Sequence, residues 1–408
     1  MDIKYQRVHF TPKSISILSL MCLLFGGILL LSYCSSNESK VSRFFENGIE
    51  VLLNHNISQD ELMPLKLEMT ISIDTENEDI LDFGLTDIWG FDVSPDGDIF
   101  VYHPPVSRGN LIFRFDKSGV PVLSFGKKGQ GPGEIQWPLY QKINRNNEIS
   151  VLDRGGQKIL LYDKNGKLKQ EIKPDKNISA NGVLLELSNG NYLFREPVGQ
   201  ISGDSLSLVL SIIDSEFNAI TELGRLVIEN PITSPQFKFP LPVFSWDLSD
   251  DSIFIGSEEY GYEIHVYDFN GALIRKIKKE YTQVPYSKEQ RNEVLKRLEG
   301  PEAEFLRKKI IFPEYNPPFQ HLFVSNENQL FVMTFEPGEN SGENMTDVYD
   351  ADGILISKCS LNLWLSSDIF QPGAPLDSWT SVLKNRLYCV REKESGHKML
   401  VAYEMIWE

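Results

Sequence analysis

The stretch Pro95-Asp-Gly-Asp-Ile-Phe-Val-Tyr102 decides the fold, because it joins a polar turn to a short apolar strand and recurs along the chain. Asn, Asp and Gly favour turns, whereas β-branched and aromatic residues favour strands. The six copies occupy residues 95–102, 145–152, 188–195, 249–256, 326–333 and 383–390. Such regular recurrence indicates a repeat architecture rather than a set of unrelated domains.

A second repeated unit, a strand followed by an Asp-x-x-Gly turn, comes after most of these copies. Its aspartates, at steps of 47, 51, 54 and 82 residues, are Asp116, Asp163, Asp214, Asp268 and Asp350. Four of the five turns end in Gly, which supplies the positive φ of a tight hairpin. The turn recurs without a second acid, which favours a hairpin over a calcium loop. A period of about 50 residues with four strands predicts an all-β, six-bladed β-propeller.

Two segments lie outside this period. Residues 65–73 read as a strand before the first blade, and the last copy ends at Glu408 before a full outer strand. We therefore expect the early strand to complete the last blade.

The step of 82 residues contains Ser287 and Gln290, the pattern of a helix capping box. It predicts a helical insertion over 281–318, between blades four and five, either a lid on its own propeller or a partner-binding arm.

The net charge of the chain argues against some classes of binding partner. The 408 residues carry 40 Lys and Arg against 57 Asp and Glu, a net charge of −17, and 41% are apolar. An acidic chain is a poor match for phosphate backbones, so nucleic acid is excluded as the main partner. The apolar fraction is large enough for a substantial core.

The N-terminus indicates export. Basic Lys4, Arg7 and Lys13 precede an almost wholly apolar run from Ile15 to Leu31, the order of a secretory signal. The sequence Leu31-Ser-Tyr-Cys34 resembles the lipobox of bacterial lipoproteins, which implies removal of residues 1–33, acylation of Cys34 and anchoring in the outer membrane, facing the periplasm or the cell surface. The alternative is an uncleaved membrane anchor. Residues 34–60 are then expected to be a tether and 61–408 the propeller.

The remaining cysteines of the exported chain are Cys359 and Cys389. An oxidising compartment allows a disulfide between them, but two buried free thiols are the interpretation we favour.

The second predicted blade carries a family resemblance. Residues 148–166 run strand, Asp153, a short Gly-containing loop, Lys158, strand and Asp-x-x-Gly, and a Gly-rich linker ending in Pro138 precedes them. This pattern resembles the NHL repeat. With the lipobox, the chain is similar to a group of NHL-like six-bladed propeller lipoproteins of bacteria. The resemblance implies the fold over nearly all of the exported chain, but no single activity.

Charged and polar residues follow the second strand of each predicted blade, where the chain enters a loop on one face of the ring. The candidate ligand-binding residues at this point are His103, Arg154, Arg195, Glu196, Glu258 and Arg391. Asp153 occupies the same position and is interpreted as a cap of its own loop. Repetition predicts that these side chains surround one mouth of the channel.

Two functions remain open. The first is a lipid-anchored extracytoplasmic binding protein that holds a protein, peptide or glycan on a propeller face. The alternative is a hydrolase, lactonase or lyase with a metal in the channel. The sequence has no nucleophile motif and no His pair at metal-ligand spacing. We therefore expect no catalytic residue, no cofactor and no metal ligand, and binding is favoured over catalysis.

Overall fold

A computed structural model describes residues 40–58, 61–105, 109–144, 146–173, 183–198, 203–298, 300, 303–361 and 379–408. The predicted leader, residues 1–33, and Cys34 lie outside these ranges. Within them, no helix is long and apolar enough to cross a membrane.

Strands make up most of the described chain. The N-terminal elements are β1 (Val41–Glu46), β2 (Ile49–Asn54), β3 (Leu65–Asp74) and helix α1 (Glu78–Phe83). Blade one contains β4 (Gly90–Val93), β5 (Ile99–Tyr102), β6 (Asn110–Phe115) and β7 (Pro121–Lys127). Blade two contains β8 (Pro138–Ile143), β9 (Ile149–Asp153), β10 (Lys158–Tyr162) and β11 (Leu168–Ile172). Blade three contains β12 (Val183–Glu186), β13 (Tyr192–Val198), β14 (Ser205–Ile213) and β15 (Ala219–Glu229).

The second half of the ring repeats this plan. After β16 (Phe237–Lys238), blade four contains β17 (Phe244–Leu248), β18 (Ser252–Ser257), β19 (Glu263–Asp268) and β20 (Leu273–Lys279). The insertion contains α2 (Lys288–Arg297), α3 (Glu304–Arg307) and β21 (Ile310–Ile311). Blade five contains β22 (His321–Val324), β23 (Leu330–Pro337), β24 (Asn344–Tyr349) and β25 (Leu355–Leu361). Blade six contains β26 (Thr380–Leu383), β27 (Arg386–Glu392) and β28 (Lys398–Trp407).

The six blades form a closed ring, as predicted. In each blade the strands pair antiparallel in chain order, and the first strands of neighbouring blades contact one another around the channel. The inner strands β4, β5 and β22 are buried at every residue, whereas the outer strand β25 alternates between buried and half-buried residues. Inner strands are covered by a neighbouring blade on both faces, which explains their continuous apolar character.

Each Asp-x-x-Gly turn is held by its own aspartate. The Oδ1 atom of Asp163 accepts the backbone N–H groups of Asn165 and Lys167 at 2.9 and 3.0 Å. Equivalent pairs of hydrogen bonds form at Asp116, Asp214, Asp268 and Asp350. These carboxylates cap their turns, in keeping with the hairpin interpretation.

The same turns join neighbouring blades. In four of them, the carbonyl of the residue after the Asp accepts a hydrogen bond from a side chain of the preceding blade. The four pairs, donor first, are Arg386 with Lys117, Arg114 with Lys164, Asn189 with Phe269, and Arg275 with Ala351. A backbone carbonyl that the hairpin leaves open is thus satisfied by the next sheet in the ring.

Strand β3 closes the ring, which confirms the prediction for residues 65–73. It pairs antiparallel with β28 from Leu65 opposite Trp407 to Asp74 opposite Met399. Ile71 and Ile73 then pack in one core cluster with residues of blades one and six. An N-terminal strand therefore completes a C-terminal blade and leaves β28 no open edge.

The prediction of a tether through residue 60 is wrong for residues 41–54. Strands β1 and β2 form a hairpin, and β2 pairs parallel with β20, which extends the sheet of blade four to six strands. Asn47 and Gly48 form its turn with φ of 50° and 84°, the pair that favours a two-residue hairpin. Val51 and Leu52 are fully buried, so hydrophobic contact with the blade holds the segment in place.

The helical insertion lies between blades four and five, as predicted. The Ser287 side chain accepts the backbone N–H of Gln290, and the Gln290 side chain accepts that of Ser287, so the capping box is present. Asn316 donates to the carbonyls of Val284 and Pro285 and ties the two ends of the insertion together. Strand β21 pairs parallel with β16, so the insertion also rests on the link between blades three and four.

Antiparallel order gives the ring two distinct faces. One, here the loop face, carries the loops between second and third strands, including 154–157, 258–262 and 393–397, and the links between blades. The other, here the turn face, carries the turns after first and third strands, including 94–98, 249–251, 325–329 and 350–354. The helical insertion emerges on the loop face.

Candidate functional site

A cavity of about 520 Å³ occupies the turn-face end of the central channel. The first strands of all six blades line it, together with the turns that follow the first strands of blades one to five. Its charged lining residues are Asp92, Lys142, Glu186, Asp247 and Asp250. Apolar side chains that include Leu152, Ile159, Leu184 and Phe269 form part of the wall. A concave site of this size with a few converging polar groups suits a small ligand or one segment of a larger one.

Two of the lining aspartates hold neighbouring blades together. Asp92 accepts the backbone N–H of Ile143 in the first strand of blade two at 2.7 Å. Asp247 does the same for Val324 in the first strand of blade five, at 2.8 Å. The other carboxylate oxygen of each aspartate accepts the N–H of the next residue. Backbone dipoles therefore stabilise both carboxylates beside the channel.

The cavity is acidic. Four of its lining residues carry carboxylates, and Lys142, with its ammonium 4.0 Å from Asp92, is its one lysine or arginine among the described residues. Burial raises the pKa of Asp92, against the smaller opposing effects of Lys142 and the two backbone N–H groups. Burial and the nearby Glu148 carboxylate raise the pKa of Glu186. Both shifts favour the protonated form of these carboxyl groups relative to free side chains.

A sequence signal for this site lies outside the motifs described above. Asp92 and Asp247 each occur as aromatic–Asp–aliphatic–Ser, in Phe91-Asp-Val-Ser94 and Trp246-Asp-Leu-Ser249, directly before the turn of the repeat. An acidic residue inside an otherwise apolar strand indicates either a partner or a site. Here it marks both.

The predicted binding residues lie on the loop face and do not line this cavity. His103 is buried, and its ring nitrogens bond the Thr86 hydroxyl and the Pro104 carbonyl, each at 2.7 Å. Glu258 accepts the backbone N–H of Val243 at 2.9 Å, and burial raises the pKa of its carboxyl. Burial likewise raises the pKa of Glu196.

The three predicted arginines lie in second strands or directly after them. Arg154 is exposed directly after β9, and Arg195 is half-buried within β13. Arg391 donates to the Tyr403 hydroxyl at 2.9 Å. The topology therefore puts them on one face, and ligand binding by these residues stays a prediction.

Asp153, next to Arg154, has a different role from the one inferred. Its carboxylate accepts the backbone N–H groups of Gln136 and Trp137, which belong to the linker before blade two, and not those of its own loop. It therefore fixes the entry to the blade.

A second polar cluster lies between blades four and five, toward the loop face. Asp347 is fully buried, and one of its oxygens accepts hydrogen bonds from the Lys279 ammonium at 2.6 Å and the Tyr262 hydroxyl at 2.5 Å. Lys358 lies 3.7 Å from the other oxygen and pairs with Glu336 at 2.8 Å. Two lysines thus balance two acids inside the seam, as buried charges require.

This seam cluster is almost closed to solvent. The recess above it has a volume of about 10 Å³, room for about one water, and is lined by Tyr262, Glu336 and residues of the insertion such as Tyr281 and Pro317. Burial lowers the pKa of Lys279 despite its partner Asp347, and raises that of Tyr262. The arrangement holds the two blades together and offers a ligand little space.

The described residues include both remaining cysteines and most of the groups that could bind a metal. Cys359 and Cys389 are free and buried, which confirms the favoured interpretation, and burial raises the pKa of each thiol to about 12. In the described part of the chain, no three His, Cys, Asp or Glu side chains converge at metal-binding distances.

Several proteins of known structure align with this chain at low sequence identity. A protein of Bacteroides fragilis that is named as exported aligns with a TM-score of 0.47 at 15% identity, over 87% of this chain and 99% of that one. A member of the duf4221 family from Bacteroides vulgatus aligns with a TM-score of 0.46 at 12% identity, over 86% and 99%. A catalytically inactive virginiamycin B lyase from Staphylococcus aureus gives 0.36 at 13%, over 84% and 100%. No curated protein matches the chain. Residues 95–239 match the model of the family DUF5128, described as a 6-bladed beta-propeller.

Proposed function

We propose that this chain is an extracytoplasmic, lipid-anchored binding protein that holds a cationic peptide segment in the channel cavity. The acidic cavity carries the proposal: Asp92, Glu186, Asp247 and Asp250 line about 520 Å³ of space together with a single lysine among the described residues. Among the protein, peptide and glycan ligands considered, a basic peptide matches this charge best.

The lining suits the two parts of a Lys or Arg side chain. The apolar wall at Leu184 and Phe269 would contact its aliphatic stem, and the carboxylates would accept hydrogen bonds from its charged end. Glu186 and Asp250 both line the cavity, and they are the residues we assign to direct contact with the ligand. A charge-assisted hydrogen bond contributes roughly 1.5–3 kcal/mol.

The test is calorimetric titration with a short apolar peptide that contains one Arg, and with the same peptide carrying Glu in its place. Asp250→Asn and Glu186→Gln should each weaken binding of the Arg peptide about tenfold. The control Asp352→Asn removes the same charge from an exposed turn of blade five and should leave the affinity unchanged. Equal affinity for the Arg and Glu peptides would contradict the proposal.

The anchor is a separate part of the proposal. It rests on the leader and on Leu31-Ser-Tyr-Cys34, which resembles a lipobox. Mass spectrometry of the membrane-extracted protein should find an acylated Cys34 as the first residue, in the outer-membrane fraction. Cys34→Ser should release the protein from that fraction. A mature protein that retains Met1 would contradict acylation.

A further inference from the structure

An exposed patch on the helical insertion combines apolar and basic side chains. The insertion patch consists of Ile232, Phe305, Arg307, Lys308, Lys309 and Ile311, with Lys308 paired to Glu304 at 2.8 Å. Ile232, Phe305 and Ile311 expose 59%, 46% and 44% of their surface. The Lys309 ammonium lies 5.5 Å from the centre of the Phe305 ring and donates to the Ile232 carbonyl at 2.9 Å, so the patch is continuous. Aromatic and aliphatic groups beside Lys and Arg are typical of surfaces that enter a membrane interface.

The described part of the propeller begins beside the start of the insertion. Strand β1 begins at Val41, which pairs with Asn54, and Asn54 pairs with Lys279 at the end of β20. The insertion leaves the sheet immediately after Lys279, on the loop face. Seven peptide steps separate Cys34 from Val41, and fully extended they span at most about 25 Å. An anchor at Cys34 would therefore connect to the propeller at Val41, where the insertion also begins.

We propose that the insertion patch docks on the anionic lipid surface in which Cys34 is anchored. This inference rests on the proposed acylation of Cys34. The chain as a whole carries a net charge of −17 and is repelled by anionic head groups, so a local basic and apolar patch selects one orientation. Docked in this way, the propeller turns its loop face to the membrane and its acidic cavity away from it, open to the ligand.

The experiment measures which face approaches the lipid. Full-length protein is purified in its acylated form as Phe305→Cys and, separately, as Asp352→Cys on the turn face. Each new thiol is labelled with a fluorophore, because native Cys359 and Cys389 are buried. The labelled proteins are placed in vesicles of phosphatidylethanolamine and phosphatidylglycerol that contain a head-group nitroxide lipid. We expect the nitroxide to quench the probe at residue 305 and to spare the probe at residue 352.

Charge variants sharpen the result. Lys308→Glu combined with Arg307→Glu should abolish quenching at residue 305, whereas Lys167→Glu, an exposed charge on the turn face, should not. Absent or equal quenching at the two sites, with Cys34 shown by mass to be acylated, would overturn the docking and leave the anchor standing. An unacylated Cys34 would overturn both. A probe at residue 305 already shielded without vesicles would indicate a protein partner and overturn the lipid assignment.

Discussion

Asp92 in the channel and Asp347 in the seam between blades four and five are both buried carboxylates, yet the protein stabilises them differently. Asp92 accepts two backbone N–H groups, with its nearest ammonium at 4.0 Å. Asp347 accepts hydrogen bonds from the Lys279 ammonium at 2.6 Å and the Tyr262 hydroxyl. The first lines a cavity of about 520 Å³, whereas the second lies beneath a recess of about 10 Å³.

The difference separates a structural ion pair from a proposed binding site. In the seam the opposite charges belong to the protein itself, so removing one leaves the other buried and unpaired. In the channel, backbone N–H groups and Lys142, 4.0 Å from Asp92, offset part of the negative charge, and we propose that a positive group from outside binds there. The same type of substitution, made in the seam and in the channel, tests this contrast.

The largest effect is expected for Asp347→Asn. The substitution leaves the buried Lys279 without its partner carboxylate and should lower the free energy of unfolding at neutral pH by about 3–5 kcal/mol. Urea unfolding measures it, with the exposed Asp352→Asn as a control expected to stay within about 0.5 kcal/mol. A loss below about 1 kcal/mol for Asp347→Asn would mean that the ion pair in the seam contributes little to the free energy of unfolding.

Asn54→Ala should have the next largest effect, because Asn54 joins the N-terminal hairpin to both blades at the seam. Its amide donates to the carbonyls of Lys278 and Gly353 and accepts the N–H of Leu355 at 2.8 Å. Buried groups left without partners should cost about 1–3 kcal/mol of unfolding free energy. Asn56→Ala, at an exposed position nearby, is the control. Equal stability of the two variants would show that the hydrogen bonds of Asn54 do not stabilise the junction between the hairpin and the two blades.

The effect of Asp92→Asn on stability should be smaller than that of the two substitutions above. Burial raises the pKa of Asp92 above its ordinary 3.8, so the native state keeps this proton to a higher pH than the unfolded chain does. Ionisation of Asp92 therefore lowers stability as the pH rises from about 3.8 through the raised pKa. The amide cannot ionise, and its oxygen can still accept the Ile143 N–H, but its NH2 group then faces the Val93 N–H, which loses its acceptor. Because the removed charge and the lost hydrogen bond act in opposite directions, we expect Tm at pH 7 to change little and the parent to gain stability relative to the variant in acid. A decrease at pH 7 as large as that of Asp347→Asn would contradict the contrast between the two regions.

The smallest effect is expected for Arg391→Ala on the loop face. Rim charges rarely stabilise a fold, so the free energy of unfolding should change by less than about 1 kcal/mol. Because Arg391 lies on the face opposite the cavity, the calorimetric affinity for the Arg peptide should change less than twofold. A tenfold change would show that the two faces are not independent.

Local patterns account for what was predictable. The Asp-x-x-Gly turns, the capping box at Ser287 and the closing strand over 65–73 each depend on residues close together in sequence or on the count of strands per repeat. The hairpin over residues 41–54 had the signal Asn47-Gly48, but the nearby lipobox favoured a tether. Asp92 and Asp347 were missed because nothing local separates an aspartate that faces a channel from one sealed in a seam.

By itself, the sequence determined the repeat, the six blades and the closing strand, because turns and strand alternation are set by neighbouring residues. Only the tertiary structure decided which face carries the cavity, which carboxylate meets a lysine, and where the N-terminal hairpin docks. These features depend on contacts such as Asn54 with Gly353, 299 residues apart, which form only when the ring closes. The seam charges and the channel charges acquire different environments at that step, since burial and partners are fixed by which blade lies next to which.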